Sequence, residues 1–469
     1  MESQPFATAI LAAGKGTRLK SKLAKVLHAI AGKPLLRHVL DAVLKVTSPD
    51  QVFVVVGHQA EEVERAVSAA GVHFVPQMQQ LGTGHAVQCL RESVRGRGDL
   101  LVLSGDVPLI RPETIEHLRE FHRAQKAAMT ILTARPGNPF GYGRVVRVEP
   151  TSPEVGAIIE QKSLTAEQQH IGEINSGIYV FHIDTLYQHI DALQSNNAHG
   201  EYYLTDMAAI LRAAGERVVA YEVADATEVL GANTIAEMME LEGALRMKAA
   251  EALMAQGVTI HRPETCVIDS DVTVGADTIV EPFVQLLGMT QVGEDCRIRS
   301  YSVVQDSKIG DHVLIRNGCI LDGAAVSDCA FIGPFAHLRP GSQIGPAAHV
   351  GNFVETKNAR LGEKSKANHL TYLGDVSVGS GCNIGAGVIT CNYDGVNKHP
   401  TQIGDRVFVG SNSTLVAPVS VQDDSYVAAA SCITEPVPAG ALALGRARQA
   451  VKPGWVKQRR AAQQKKKDS

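Results

Sequence analysis

The chain has 469 residues, of which 45 are Lys or Arg and 49 are Asp or Glu, giving a formal net charge of −4. This length is enough for about two or three domains with separate cores, and 45% hydrophobic and 20% charged residues are typical of globular proteins. The negative charge argues against a nucleic-acid-binding protein, which would carry a strong positive excess. Aromatic residues are only 5% while glycines number 43, a composition that favours many short, tightly turning strands.

Neither secretion nor membrane insertion is predicted. The N-terminal segment "ATAILAAG" is too short for a signal peptide and runs directly into a charged loop. No apolar run approaches the ~18 residues of a membrane span. The eight cysteines form no CxxC pair and no His-flanked zinc spacing. We therefore expect a cytoplasmic protein with reduced thiols and with neither membrane nor nucleic-acid partners.

The first ~230 residues predict an α/β domain. Apolar runs such as "TAILAAG", "VFVVVG" and "DLLVLSGD" read as buried strands, and amphipathic stretches such as "KPLLRHVLDAVLKV" follow them as helices. This alternation predicts a mostly parallel, Rossmann-like sheet with right-handed crossovers. Ligand sites in such sheets lie at the carboxyl ends of the strands, where "GKGTR" and "GDVP" fall.

A long helix and a change of period separate this domain from the rest of the chain. Residues 234–256 place Met, Leu and Ala at helical spacing, and from Val258 onward aliphatic residues recur every six positions, often followed by Gly. A hexapeptide period predicts a left-handed parallel β-helix with three flat sides, whose inward aliphatic residues stack from coil to coil. We predict an α/β domain (1–233), a linker helix (234–256), a β-helix (257–446) and a solvated basic tail (447–469).

The six-residue period is interrupted between Gly351 and Asp375, where Val350 and Leu361 are eleven residues apart instead of twelve. This stretch carries a cluster of charge and one histidine, His369. We interpret the interruption as a site, because a regular aliphatic side could not bind a charged ligand. A second interruption, residues 391–401, predicts a protruding polar loop.

The loop after the first strand, "LAAGKGTRLKSKLAK", suits a nucleoside triphosphate. It completes neither a Walker loop nor a GxGxxG fingerprint. However, Gly14 and Gly16 let the backbone approach an anion, and Arg18 and Lys25 supply positive charge. Taken alone, the loop is equally compatible with a solvated basic turn.

Two further segments strengthen the nucleotide hypothesis. Gln77, beside a Gly-Thr-Gly turn, could match the N–H donor and carbonyl acceptors of uracil. Asp106 follows a buried strand, the usual position of a Mg²⁺ carboxylate. Gly-rich strand ends at "FGYGRVV", "IIEQK", "EINSGIYVF" and "GEYYLTD" add polar groups suited to sugar hydroxyls.

With these motifs in this order, almost the whole chain resembles the bacterial bifunctional enzymes that join an N-acetylglucosamine-1-phosphate uridylyltransferase to a glucosamine-1-phosphate N-acetyltransferase. The resemblance implies Mg²⁺, the co-substrates UTP and acetyl-CoA, and a UDP-N-acetylglucosamine product that supplies peptidoglycan and lipopolysaccharide synthesis. By matched motif, the residues that bind UDP-N-acetylglucosamine would be Leu11, Ala12, Ala13, Gly14, Lys25, Gln77, Gly82, Thr83, Ser104, Gly105, Asp106, Gly143, Glu160, Asn175 and Asn233. Asp106 and Asn233 would also hold Mg²⁺, and Lys25 and Arg18 would assist uridylyl transfer.

The same resemblance implies that His369 is the general base of acetyl transfer, a role that fits a side chain titrating near pH ~6.5. The glucosamine-1-phosphate site would comprise Arg339, Lys357, Tyr372 and Asn383, and the acetyl-CoA site Ala386, Asn392, Tyr393, Ser411, Ala429 and Arg446. The family is a homotrimer, with the acetyl-transfer sites between subunits.

Two positions depart from the family pattern. Ala24 stands where Pro usually precedes Lys25, and Ser104 stands where Tyr usually opens the "YGD" motif. The first loses a rigid φ and the second an aromatic surface, but neither removes a charge or a metal ligand. We expect both activities to survive.

Two other functions stay open at this level. A monofunctional sugar-1-phosphate nucleotidyltransferase with a structural or regulatory β-helix would need neither His369 nor the basic cluster around it. A non-enzymatic subunit of the kind found in translation-factor exchange assemblies would have lost Lys25, Asp106 and Asn233, all of which are present.

Overall fold

The computed structural model describes residues 6–197 and 200–467. The chain divides into two compact units, residues 1–248 and residues 249–469. The finer division at residues 233, 256 and 446 stays a prediction. None of the helices among the described residues is long and apolar enough to cross a membrane.

A mixed sheet forms the centre of the first unit. The strands of this unit are β1 (Phe6–Ala12), β2 (Ala29–Ile30), β3 (Lys33–Pro34), β4 (Val52–Val56), β5 (His73–Pro76), β6 (Asp99–Ser104), β7 (Met129–Ala134), β8 (Arg144–Arg147), β9 (Val155–Ile159), β10 (Ile174–His182) and β11 (Val218–Glu222). The sheet runs β11-β7-β10-β6-β1-β4-β5, with β8 and β9 attached beside β10 and with β2 and β3 forming a separate hairpin. Within the seven-strand order only β10 is antiparallel to its neighbours, so the predicted mostly parallel, Rossmann-like sheet is confirmed.

Helices cover both faces of this sheet. They are α1 (Leu35–Val43), α2 (Ala60–Val67), α3 (Thr83–Gln88), α4 (Pro112–Gln125), α5 (Ile183–His189) and α6 (Met207–Ala213). Short 3₁₀ turns lie at Thr17–Leu19, Lys25–Leu27, Pro49–Gln51, Ser68–Ala70, Gln161–Ser163, Gln168–His170, Ile190–Ala192, Leu204–Asp206 and Ala226–Val229. Alternate residues of β1 enter separate cores, Ile10 packing on one face of the sheet and Ala9 on the other. Burial on both faces explains why these strands read as continuous apolar runs.

Helix α7 (Ile235–Ala255) matches the predicted helix at 234–256 to within a residue at each end. It begins with a capping box, because the Glu237 carboxylate accepts hydrogen bonds from the backbone N–H groups of Asn233 and Thr234, while the Thr234 hydroxyl accepts one from Glu237 N–H. This reciprocal cap fixes the backbone at Asn233, one of the predicted site residues.

The second unit is a left-handed parallel β-helix, as the hexapeptide period predicted. Its first face contains the strands Thr259–Ile260, Ile279–Val280, Arg297–Ile298, Leu314–Ile315, Phe331–Ile332, His349–Asn352, Lys366–His369, Asn383–Ile384, Phe408–Val409, Tyr426–Val427 and Leu442–Ala443. Its second face contains Val267–Ile268, Gln285–Leu287, Val303–Gln305, Ile320–Asp322, His337–Leu338, Glu355–Lys357, Tyr372–Gly374, Ile389–Cys391, Thr414–Val416 and Cys432–Ile433. Its third face contains Thr273–Val274, Gln291–Val292, Lys308–Ile309, Ala325–Val326, Gln343–Ile344, Arg360–Leu361, Val376–Val378, Thr401–Ile403 and Val419–Val421. The aliphatic members of the repeat point inward and form one continuous core. A short 3₁₀ turn at Pro263–Thr265 and the terminal helix α8 (Trp455–Lys467) complete this unit.

The structure corrects the interpretation of the charged stretch. Gln343 pairs with Arg360, seventeen residues later. Gln291 and Lys308, far from that stretch, are paired over the same seventeen-residue spacing. A coil of 17 residues is therefore ordinary in this β-helix, and the short interval does not itself mark a site. The charged side chains stand at outward positions of regularly paired strands. The second interruption is different, because Asn383 pairs with Phe408 twenty-five residues later, so the segment 392–400, after the paired residue Cys391, contains an insertion between coils.

Candidate active sites

The first candidate site lies where the parallel strands β1 and β6 end. The Gly105 backbone N–H donates to Leu11 O at 3.0 Å, which holds the turn after β6 against the end of β1. A Cβ at Gly105 would lie 3.1 Å from Leu11 O and 3.2 Å from Val26 Cγ1. The glycine therefore allows a close approach that a side chain would push apart. It brings the predicted segments 11–14 and 104–106 together at one edge of the sheet.

A cation centre lies between these segments. The Lys25 ammonium forms an ion pair with Asp106 Oδ2 and donates to Asn233 Oδ1 at 3.1 Å. The site is largely enclosed, since the Lys25 and Asp106 side chains are only 17% and 11% exposed. Gly231 completes the enclosure, because a Cβ there would lie 3.1 Å from Asp106 Oδ2. The two predicted metal ligands thus converge on a single positive charge.

The two departures from the family pattern have structural counterparts. Ala24 has φ −55°, inside the range that proline would impose, and its backbone N–H donates to Gln59 Oε1 at 2.6 Å. That hydrogen bond is unavailable to proline, so Gln59 fixes the segment in another way. The Ser104 hydroxyl donates to Asp106 Oδ1, the carboxylate oxygen that Lys25 does not contact.

The predicted uracil segment forms a closed loop. Gly82 has φ +103°, and a Cβ there would lie 2.6 Å from Tyr202 O, so glycine is required for both conformation and space. The loop is joined to residues 201–204 by backbone hydrogen bonds from Gly84 to Tyr202 and from Tyr202 to Leu81, and Thr83 Oγ1 accepts from Leu204 N–H at 3.0 Å. Gln77, 3% exposed, lies inside this loop.

The predicted sugar-binding residues also come together. The Asn175 backbone N–H donates to Gly143 O at 2.9 Å, and a Cβ at Gly143 would lie 3.7 Å from Glu160 Oε1. Asn175 Nδ2 donates to the Tyr179 hydroxyl, whose pKa burial raises. Glu160 is exposed, but partial desolvation of its carboxyl by the surrounding residues raises its pKa, and the negative charge of Asp206 raises it further.

Among the described residues, Arg18 forms no hydrogen bond or ion pair with Lys25, Asp106 or Asn233. It lies in the exposed 3₁₀ turn Thr17–Leu19. Gly16, with φ +63°, leads into this turn, and a Cβ there would lie 2.6 Å from Lys25 Cβ. The glycine-rich loop therefore packs directly against Lys25, while the Arg18 guanidinium is exposed to solvent at the mouth of the site.

The second candidate site follows one edge of the β-helix, which we call the His369 edge. Asn352, His369, Ala386, Ser411 and Ala429 occupy the same position in successive coils, and Arg446 follows Gly445, which is the residue aligned with Ala429 in the next coil. Backbone hydrogen bonds link each coil to the next, as from Leu370 to Asn352 O and from Asn412 to Ala386 O. Arg446 Nη1 donates to Ala429 O at 3.1 Å. His369 is exposed on this edge. The predicted general base and four predicted acetyl-CoA residues thus form a single line.

A basic cluster lies on the neighbouring face. Arg339 pairs with Glu355 at 2.8 Å, and Lys357 lies two residues farther along the same strand. The close approach of the Lys398 side chain and its positive charge lower the pKa of Lys357. Two ammonium groups in contact favour an anion between them. The sequence analysis missed Lys398, although its place in the predicted 391–401 loop was a usable signal.

The inserted loop is anchored beside this cluster. Asp375 accepts hydrogen bonds from Asn358 Nδ2 at 2.7 Å and from Asn392 Nδ2. Partial burial opposes ionisation of Asp375, but these donors and the nearby lysines outweigh it, and its pKa is lowered. Asn392 is consequently buried and holds the base of the loop.

The remaining predicted acetyl-transfer residues are spread around the same coils. The Tyr372 ring covers Gly374, where a Cβ would lie within 2.6 Å of the ring carbon that carries the hydroxyl. Asn383 begins a first-face strand beside Lys366. Tyr393 is 60% exposed at the start of the inserted loop.

Comparisons with known proteins agree with both units. The MobA-like NTP transferase domain matches residues 8–170, and the hexapeptide repeat of succinyl-transferase matches residues 400–435. The chain is 59% identical to the bifunctional protein GlmU of Koribacter versatilis, over 99% of each chain. It is 48% identical to that of Solibacter usitatus and 44% identical to that of Clostridioides difficile, with 97% of this chain and 98% of the relative covered in both cases.

The chain belongs to the bifunctional GlmU family. This is the family that the sequence motifs resembled. The prediction of a bifunctional enzyme, with a uridylyltransferase and an acetyltransferase on one chain, is confirmed, and the monofunctional alternative is disfavoured. The assignments of individual residues to substrates stay predictions.

Proposed function

We propose that the second unit transfers the acetyl group of acetyl-CoA to the amine of glucosamine-1-phosphate. The first unit then transfers UMP from UTP to N-acetylglucosamine-1-phosphate and releases pyrophosphate. One observation carries the uridylyl-transfer part of this proposal: the Lys25 ammonium is held between Asp106 and Asn233 at the carboxyl edge of the sheet. We place both reactions in the cytoplasm.

The residues around Lys25 fit a magnesium ion. Asp106 Oδ2 and Asn233 Oδ1 converge on one cation, and Mg²⁺ in nucleotide sites takes one or two protein oxygens, completing its shell with phosphates and water. Among residues 6–197 and 200–467, no group of three or more His, Cys, Asp or Glu side chains could hold a metal instead. Asp106 and Asn233 would hold the ion, which supplies neutralisation of the phosphate charge.

Uridylyl transfer requires charge stabilisation more than proton transfer. The phosphate of the sugar is already anionic near neutral pH, so it can attack the α-phosphorus of UTP without a general base. The Lys25 ammonium lies beside the two residues that would hold the ion, and the packed Gly16 loop fixes its side chain, so it would contact the triphosphate. Arg18, exposed at the mouth, would meet the outer phosphates.

Acetyl transfer needs a neutral amine and an acceptor for its proton. An alkylamine is largely protonated near neutral pH, so the imidazole of His369 would take the proton as the amine attacks the thioester. Arg339, Lys357 and Lys398 would hold the sugar phosphate, and Tyr372 and Asn383 would contact the sugar.

The His369 edge has the length of an extended thioester cofactor. Arg446 is four coils from His369, and coils in such a helix rise by the spacing of adjacent strands, so the two residues are roughly 19 Å apart along the edge. Acetyl-CoA could lie along Ala386, Ser411 and Ala429 with its thioester near His369. Its phosphates would then meet Arg446, which suits a two-point grip on phosphate oxygens.

We further propose that the β-helix assembles as a homotrimer. The corner beside the His369 edge carries exposed apolar side chains in five of six successive coils: Phe283, Tyr301, Phe335, Phe353 and Leu370. The remaining coil has Gly318 at this position, against the Phe335 ring. Phe283 stacks on Tyr301 at 5.2 Å and Phe335 on Phe353 at 5.6 Å, so the ridge consists of two stacked pairs followed by Leu370. A ridge of this kind is typical of a surface that packs against another chain, and its position would place each acetyl-transfer site at a subunit boundary.

Paired variants test the two halves. His369→Ala should abolish acetyl transfer while uridylyl transfer, assayed with supplied N-acetylglucosamine-1-phosphate, stays near normal. Asp106→Ala should do the reverse. Products would be identified from glucosamine-1-phosphate, acetyl-CoA, UTP and Mg²⁺, with one component omitted at a time. Loss of both activities in either single variant, with the fold retained, would contradict two independent sites.

A further inference from the structure

The amide of Gln77 is fixed by two contacts on the same atom. Its Nε2 lies 3.0 Å from Gly82 O and 3.0 Å from His85 Nδ1. Gln77 is 3% exposed, and its backbone is also held, since its N–H donates to Val56 O at 2.7 Å and its carbonyl accepts from Gln80 Nε2. The side chain therefore has little freedom to move as a whole.

The chemistry of these partners assigns the orientation of the amide. A backbone carbonyl can only accept, so the amide atom facing Gly82 O must be the nitrogen, Nε2. One amide hydrogen is used by Gly82 O, and the other points at His85 Nδ1. Nδ1 must then accept, which makes His85 the neutral tautomer protonated on Nε2. That Nε2 lies 4.0 Å from Cys89 Sγ, a weak acceptor.

The other end of the amide is left for a ligand. Gln77 Oε1 accepts no hydrogen bond from the described residues. It is not fully buried either, so a ligand can reach it. The Gln77 side chain thus presents its carbonyl oxygen as an acceptor, while two hydrogen bonds from Nε2 fix the orientation of the amide.

We propose that His85 is a positioning residue that locks the Gln77 amide with Oε1 toward the nucleobase, and so makes the first unit select uracil over cytosine. Uracil N3 carries a hydrogen that Oε1 can accept, whereas cytosine N3 is itself an acceptor and would face Oε1 unfavourably. Cytosine could be accommodated only by an amide flip. A flip would set Oε1 against Gly82 O, which can only accept, and against His85 Nδ1, which accepts in the Nε2-protonated tautomer, each at 3.0 Å. The inference rests on the proposed uridylyl transfer and on Gln77 as its nucleobase contact.

The chain offers a matched pair of substitutions at this position. In His85→Asn, the side-chain Oδ1 can take the place of Nδ1 and still accept from Gln77. His85→Leu has the same branching and size as Asn but no acceptor. The UTP-to-CTP ratio of kcat/KM would be measured for both variants in the full-length protein, by pyrophosphate release.

We expect His85→Leu to lower the UTP-to-CTP ratio by roughly threefold to tenfold, the worth of one hydrogen bond, and His85→Asn to keep it within about twofold of the original. A ratio unchanged in His85→Leu would overturn the inference. So would equal losses for UTP and CTP, because a merely structural role lowers both rates without changing their ratio.

A third variant separates this inference from the proposed function. Gln77→Leu removes the amide, so the UTP-to-CTP ratio should collapse further than in either His85 variant. If Gln77→Leu leaves the ratio intact, the uracil contact in the proposed function is wrong and His85 has nothing to position. If Gln77→Leu collapses the ratio but both His85 variants behave as the original chain, only the inference fails.

Discussion

Replacing Ser104 with alanine tests whether its hydroxyl takes part in uridylyl transfer. The hydroxyl donates to Asp106 Oδ1, while Lys25 pairs with Oδ2, so the serine controls the rotation of the carboxylate without contacting the cation. Ser104→Ala removes this donor and keeps the Cβ at the end of β6. The carboxylate should rotate more freely and spend less time aimed at the cation centre.

The expected loss of kcat/KM follows from the environment of the Asp106 carboxylate. Hydrogen bonds to charged groups contribute about 1.5–3 kcal/mol, and the Asp106 side chain, 11% exposed, has little water available as a substitute. Because Lys25 still pairs with the carboxylate, the lower end applies, and about 1.5 kcal/mol corresponds to a roughly tenfold lower kcat/KM.

The assay is steady-state pyrophosphate release at saturating Mg²⁺, with acetyl transfer as an internal control that should not change. Ser104→Thr retains the hydroxyl and should keep most of the activity. The reasoning would be refuted if Ser104→Ala stayed within about twofold of the original chain, or if Ser104→Thr lost as much as Ser104→Ala.

Three further predictions concern other parts of the two sites. Gly82→Ala should sharply raise the KM for UTP, because the added Cβ would meet Tyr202 O at 2.6 Å on a backbone with φ +103°, and acetyl transfer measured alongside should be unaffected. Glu160→Gln should stabilise the protein near pH ~8 but not near pH ~4, which thermal unfolding scans at both pH values would detect. The reason is that a carboxyl whose pKa is raised on folding destabilises the folded state at pH values above its folded-state pKa, and this cost disappears as the pH falls below its unfolded-state pKa. Arg446→Ala should raise the KM for acetyl-CoA about tenfold yet leave a donor without the nucleotide portion, such as acetyl-pantetheine, unchanged; a comparable loss with both donors would remove Arg446 from the phosphate site.

The order of motifs made both units predictable. The six-residue period of Ile403, Val409, Leu415 and their neighbours fits only a repeating coil, because each inward aliphatic residue must stack on the equivalent residue of the next coil. In the first unit, apolar runs that end at glycine identified the buried strands and the edge where ligands bind. The bounds of α7 were also readable, because its capping box is local in sequence.

Other features depend on residues far apart in the chain. Gln59 lies 35 residues from Ala24 and Asn233 lies 208 residues from Lys25, so neither hydrogen bond could be read from spacing. For the charged stretch, the sequence pattern was misleading. The eleven-residue interval looked exceptional along the chain, but it belongs to a coil of 17 residues, and strand pairing shows a coil of the same length elsewhere in the β-helix.

The two folds and the chemical types of residue in each site could be predicted from the chain alone, because hydrophobic period, glycine position and charge are local properties. How those residues face one another depends on the three-dimensional fold. In the fold, His369 and Arg446 lie along one edge, Lys398 lies beside Lys357, and Gln77 Oε1 has no hydrogen-bond partner within the described part of the chain. These relations arise from strand pairing and loop closure over long sequence separations, which no local pattern encodes.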